Sequence, residues 1–271
     1  MSPDLIWFMA GLVVAGLFAG FAGGLFGIGG GAVIVPALYF VFSALDVDEA
    51  VRMHVAVATS LSTIVSTSWR SLSTHLKAGA VDMEVLKSWS PWITGGALIG
   101  AAAAGFANTE TLLVVFGAGL LLIALQMGFS NPNWRAFADV PRGIGRAGVA
   151  GGIGFFSALM GIGGGAFGVT ALTLCGRPIH QAVATASGFG AAIALPAALG
   201  YVIAGWGEPD LPPWSLGYVS VPGFFVLAAL TAITAPIGAR LAHRLPQLAL
   251  KRAFAVFLAL MALNMLREAF S

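Results

Sequence analysis

The chain has 271 residues, 58% of them hydrophobic and only 9% charged, with a net charge of +2. Soluble domains carry about 25% charged residues, so these proportions exclude a water-facing globule and imply a polytopic helical membrane protein built from spans of roughly 17–25 residues. The 13 Lys and Arg residues are dispersed over loops, which leaves no basic patch for nucleic acid, and the single cysteine, Cys175, excludes an intrachain disulfide and a multi-cysteine metal site.

The N-terminal stretch MSPDLIWFMA has no basic region ahead of its apolar run and reads as a retained first helix rather than a cleaved signal. The first apolar segment, 5–25, runs into Gly27-Ile28-Gly29-Gly30-Gly31-Ala32, and the next segment covers only 32–45. An acidic loop from Asp46 to Glu49 leads to segment 51–69, which carries His54, Thr59 and Ser60 and belongs to the hydroxyl-rich run TSLSTIVSTSWRSLSTH (59–75). Segments 90–107 and 111–128 follow. The second half offers 144–160, then Gly161-Ile162-Gly163-Gly164-Gly165-Ala166, a short segment 166–176, and 179–204 with His180, Thr185 and Ser187. It ends with 215–240 and 248–267; Pro196 and Pro236 fall inside long segments and predict kinks there.

The halves match in order. The glycine clusters are offset by 134 residues, His54 with AVATS (56–60) matches His180 with AVATAS (182–187) from offset 126, and Phe116 with ALQM (124–127) matches Phe254 with ALNM (262–265) at offset 138. Three collinear matches imply a duplication, with 1–139 as the first transmembrane repeat and 140–271 as the second. Cytoplasmic loops are enriched in Lys and Arg. Placing the N-terminus outside puts Arg70, Lys77, Lys87, Arg135, Arg142, Arg146, Arg177, Arg240, Arg244, Lys251 and Arg252 inside, and leaves Arg52 and Arg267 outside. Five segments per half then make the second repeat inverted relative to the first, the usual architecture of secondary transporters. The fold class expected is an all-α membrane bundle of two inverted five-segment repeats with broken helices after the glycine motifs.

Segments 32–45 and 166–176 are too short to span about 30 Å at 1.5 Å per residue. Short, glycine-interrupted segments at matching positions point to a transporter binding site. Glycine weakens a helix interior by about 1 kcal/mol relative to alanine, so the clusters are expected to break a helix near mid-membrane and turn backbone N–H groups into a cavity. Each following half-helix adds its partial positive charge, which attracts an anion without a lysine. The other use of such glycines is close helix packing. The expected substrate-binding residues are Gly29, Gly30 and Gly31 with Thr59 and Ser60, and Gly163, Gly164 and Gly165 with Thr185 and Ser187. The structural role open to those hydroxyls is back-bonding to a carbonyl one turn earlier.

GLFGIGGGAVIVP after a first apolar helix, the second GIGGG, and the pair HVAVATS and HQAVATAS resemble the sulfite exporter TauE/SafE family, also called the toluene sulfonate uptake permease family. The resemblance covers nearly the whole chain and implies a bacterial inner-membrane permease for a small sulfur-containing anion: sulfite, sulfoacetate or another organosulfonate. The second copy departs from the pattern with Thr170 where the first has Pro36.

His54 and His180 are candidates for proton coupling, since histidine titrates near neutral pH and ionisable membrane residues mark proton pathways; both also sit at segment ends, where capping suffices. An intramembrane protease would need GxSG, and TASG (185–188) lacks the first glycine; the glycine clusters lack the GK of a nucleotide loop. No catalytic set, cofactor or metal site is expected. A cation carrier would need acids within the membrane, and the 11 Asp and Glu all fall in loops or at segment ends. The expected partners are the anion, membrane lipid and a coupling proton or ion, with a channel or a permease for another solute as the alternatives.

Overall fold

The computed structural model describes residues 3–26, 30–129, 139–242 and 247–270; Gly27, Ile28, Gly29, Arg135, His243 and Arg244 lie outside the described residues. In chain order the elements are α1 (Pro3–Phe26), α2 (Gly31–Ser43), α3 (Glu49–Lys77), α4 (Met83–Phe106), α5 (Thr109–Phe129), α6 (Gly143–Met160), α7 (Gly165–Leu174), α8 (Ile179–Ala204), β1 (Ser215–Leu216), β2 (Val219–Ser220), α9 (Val221–Ala242) and α10 (Gln247–Ala269). The ten apolar segments correspond to the ten helices among the described residues, and an all-α membrane bundle is the fold. Helices α5, α6, α8 and residues Val221–Gly238 of α9 are long and apolar enough to cross a bilayer.

Three boundaries differ from the sequence reading, each for a local reason. The third segment extends to 49–77: Asp48 caps its start by accepting from Ala50 N (2.8 Å), and its later hydroxyls bond back to carbonyls of the same helix. The fourth begins at Met83 rather than near 90, because Asp82 accepts the N–H of Val85 and starts the helix ahead of its apolar stretch. The ninth does not begin as a helix. Residues 215–220 form a small antiparallel hairpin pairing Ser215 with Ser220 and Leu216 with Val219, and Gly217 supplies the positive φ (52°) that its turn requires.

Named contacts fix the two ends of the bundle. At one end Arg177, between α7 and α8, pairs with Asp82 (3.1 Å) and reaches Asp139 at 4.0 Å. At the other, His54 reaches the carbonyls of Ala104 and Ala107 at the end of α4, and Thr109 donates to the carbonyls of Glu49 and Ala50. The α6–α7 hairpin therefore enters from the Arg177 end. The α1–α2 hairpin enters from the His54 end, where the Tyr39 hydroxyl of α2 reaches Glu268 and the Arg52 guanidinium lies over the Tyr39 ring.

Close approach through glycine holds the pairs together. A Cβ at Gly96, Gly100 or Gly154 would strike the backbone of the facing helix in the α4–α6 seam, and one at Gly20 would strike Thr231 and Thr234 in the α1–α9 seam. Lipid removes any hydrophobic drive between helices, so such van der Waals contact supplies the association.

Asp139 and Glu208 are both exposed and lie at opposite ends. Single cysteines at these positions, in a Cys175→Ala background, are expected to react from opposite faces of the membrane, with Glu208 outside. Equal labelling of both from outside would contradict this arrangement.

Candidate functional site

The two helix breaks meet halfway along the bundle. Gly30 adopts φ 75° at the start of α2, and Gly161 adopts φ 64° at the end of α6, the left-handed geometry that terminates a helix and that side chains rarely adopt. Gly31 lies against the backbone of Gly161 and Ile162: a Cβ there would come within 2.7 Å of the Gly161 carbonyl oxygen. Beside this junction run the middles of α3 and α8, with Ile64 against Gly31 and Gly163, and Phe189 and Ile193 against Gly164. Neither α2 nor α7 has a side-chain cap at its N-terminus.

Adjoining the junction, toward the Arg177 end, is a cavity of about 250 Å³. Gly30, Gly163 and Gly165 line it at the breaks. Thr67, Ser68 and Ser71 of α3, Ser187 of α8 and Thr231 of α9 contribute hydroxyls, and α1 and α9 also contribute Ala19, Gly20, Gly23 and Ala235. Among the described residues, no acidic or basic side chain lines it.

The expected residues divide accordingly. Gly30, Gly163, Gly165 and Ser187 meet at the cavity. Gly31 and Gly164 lie at packing contacts instead, Gly31 on the other break and Gly164 on Ile193 and Phe189; Gly29 lies outside the described residues. Ser60 donates to the Gly161 carbonyl (2.8 Å), tying α3 to the second break and satisfying a backbone acceptor that lipid could not. Its counterpart at offset 126 is Ala186, which lines the cavity.

Thr59 and Thr185 are both fully buried and make matching, crossed bonds. Thr59 Oγ1 accepts the N–H of Ser220, just ahead of α9 (3.0 Å). Thr185 Oγ1 accepts the N–H of Asp82, just ahead of α4 (2.9 Å). Each threonine therefore holds the N-terminus of a helix from the other half. Ser220 and Asp82 repeat the likeness by accepting from Gly223 N and Val85 N, three residues on.

His54 and His180 are unlike in their surroundings. His54 is buried, its Nε2 lies 3.0 Å and 3.1 Å from the carbonyls of Ala104 and Ala107, and its ring stacks on Tyr218 (4.8 Å), which meets Tyr201 edge-on. His180 is exposed beside the start of α8. Sequence reasoning passed over Thr67, Ser68 and Ser71 individually; the hydroxyl density of 59–75 was their signal.

The family model for the sulfite exporter TauE/SafE family matches residues 12–265. A Haemophilus influenzae protein named "Probable membrane transporter protein" is 34% identical over 255 residues, covering 93% of this chain and 96% of its own. A protein of the same description from Methanocaldococcus jannaschii is 27% identical over 263 residues, covering 94% of each chain. The Bacillus subtilis YunE, also named a probable membrane transporter protein, is 34% identical over 185 residues, 60% of this chain and 66% of its own. No solved structure matches the chain.

Replacing Thr59 or Thr185 by valine removes the acceptor of a backbone N–H while nearly keeping shape. Leaving a buried donor unpaired costs about 1–3 kcal/mol. Each variant is expected to melt below the wild type with its ligand dissociation constants unchanged, measured by thermal unfolding and titration of the purified protein. A loss of affinity without a loss of stability would instead place these hydroxyls on the ligand.

Proposed function

The chain belongs to the sulfite exporter TauE/SafE family, and from that membership we propose that it is a multi-pass secondary transporter of a bacterial inner membrane, exporting a small sulfur-containing anion such as sulfite, sulfoacetate or another organosulfonate. The observation that carries the proposal is the cavity wall beside two uncapped half-helix N-termini: glycine backbone and hydroxyls, with no carboxylate among the described lining residues. Neutral donors and helix N-termini suit an anion, whereas a cation in the membrane would call for acids. The names of the relatives, all membrane transporters, support transport over catalysis.

We read the architecture as two inverted repeats, 1–139 and 140–271. The glycine-tipped hairpins entering from opposite ends and the crossed bonds of Thr59 and Thr185 support this reading. With basic loops inside, the cavity lies in the cytoplasmic half of the bundle, the side from which an exporter loads.

The test is a thermal-shift screen of purified protein against sulfite, sulfoacetate, taurine, isethionate and sulfate. At least one sulfur oxyanion is expected to raise the melting temperature, and stabilisation by none of them would defeat the proposal. Gly30→Val puts a branched side chain at φ 75° on the cavity wall and is expected to abolish that response in a folded, monodisperse protein. Gly164→Val drives into Ile193 and Phe189 and is expected to lower stability in the absence of ligand.

A further inference from the structure

Ten hydroxyls lie between Thr59 and Thr74 on α3, and eight of them are engaged. Thr59 accepts from Ser220 and Ser60 donates to Gly161, while Ser62, Thr63, Ser66, Thr67, Ser73 and Thr74 donate to carbonyls three or four residues earlier in their own helix. Ser68 and Ser71 alone have no hydrogen-bond partner among the described residues, and both line the cavity. The other cavity hydroxyls have already used the single proton a hydroxyl can donate: Thr67 to Thr63 and Ile64, Ser187 to Ala184, and Thr231 to Leu227. Two free O–H donors therefore remain, three residues apart and so on one face of the helix. Gly190 of α8 makes room for one of them, since a Cβ there would collide with Ser68 Oγ.

The wall from α1 and α9 is of another kind. It presents Ala19, Gly20, Gly23 and Ala235 together with Thr231, whose hydroxyl is spent on the Leu227 carbonyl of its own helix, and Ile34 and Val169 adjoin from α2 and α7. Volume sets what can lie against it. The cavity's 250 Å³ equals about eight waters at ~30 Å³ each. A sulfite, with four heavy atoms, is smaller than that and leaves water against the largely apolar wall; a chain of a few carbons on the anion would displace it.

We propose that the cavity selects an anion carrying a short apolar chain, with Ser68 and Ser71 donating to oxygens of the anionic head and the α1–α9 wall, centred on Gly23 and Ala235, holding the chain. This inference rests on the anion-transport reading above and adds which groups read the head and which the tail.

A homologous series separates the two ideas. Calorimetric titration of the purified full-length protein with sulfite and with methane-, ethane-, propane- and butanesulfonate is expected to show affinity rising about three- to fourfold per methylene as far as propanesulfonate. Ser68→Ala and Ser71→Ala should each weaken every member of the series by about tenfold and leave the chain-length slope intact. Ala235→Leu, which fills the tail wall, should flatten the slope, so that propanesulfonate loses its advantage over methanesulfonate. Sulfonates that bind with no dependence on chain length would overturn the apolar subsite and leave anion transport standing. Serine variants that are folded, monodisperse and bind as the wild type would overturn the head-group assignment. If neither sulfite nor any sulfonate binds the wild-type protein, the anion reading itself falls, and this inference with it. The chain-length series on unmodified protein decides the apolar subsite even if a variant does not fold, and Ser68→Thr and Ser71→Thr, which keep the hydroxyl, are expected to keep wild-type head-group affinity.

Discussion

Everything at the centre of this bundle depends on two stretches of backbone touching where side chains would ordinarily keep helices apart. Gly31 meets Gly161 and Ile162, and Gly161 in turn lies 3.0 Å, measured from where its Cβ would be, from the Cα of Val57. An alanine at either position would force the hairpin tips apart. The approach brings a polar carbonyl into a region where water is not available, and the Ser60 hydroxyl satisfies it. One steric constraint and one hydrogen bond thereby hold the two breaks together, and the cavity forms beside that junction.

The halves share a plan and differ in its execution. α2 buries nine of its 13 residues, whereas α7 buries three of ten. Thr59 and Thr185 play matching parts, but His54 and His180 do not: one is wedged under Tyr218 against the end of α4, the other is exposed. At offset 126 the free hydroxyls Ser68 and Ser71 correspond to Ala194 and Ala197, both buried and apolar. A duplicated fold can keep its symmetric joints while one copy alone carries the polar lining. The joints are where both halves must fit; the lining only has to face the cavity once.

How much of this the sequence could disclose follows from the range of each interaction. The helix breaks are local, written in the φ > 0 tolerance of glycine, and both were legible. So were the apolar segments, since periodicity and length are properties of one stretch of chain. The hairpin at 215–220 hid inside an apolar run whose composition suits a helix equally well. The threonines were legible as a matched pair but not by role, because their partners stand 161 and 103 residues away. The cavity hydroxyls lay in a run conspicuous for its polarity. Six of the ten bond back within α3 by a local habit, whereas the partners of Thr59 and Ser60 and the exposure of Ser68 and Ser71 to the cavity depend on how the other helices pack around α3, which no local rule reports.

The same accounting bears on how a transporter can hold an anion without trapping it. On the proposed reading, no fixed positive charge lines the cavity among the described residues: Arg177 is paired with Asp82 and Asp139, and Arg70, between Ser68 and Ser71 on α3, is exposed and is not among the lining residues. A lysine inside so dry a wall would attract the ligand strongly and also demand a counter-charge whenever the ligand left. Two serine hydroxyls and a pair of helix N-termini make no such demand. Water can take the anion's place on such donors, so binding exchanges one set of modest interactions for another, and the net gain that release must give back stays small. That balance suits a carrier, whose site must be favourable enough to enter and weak enough to leave.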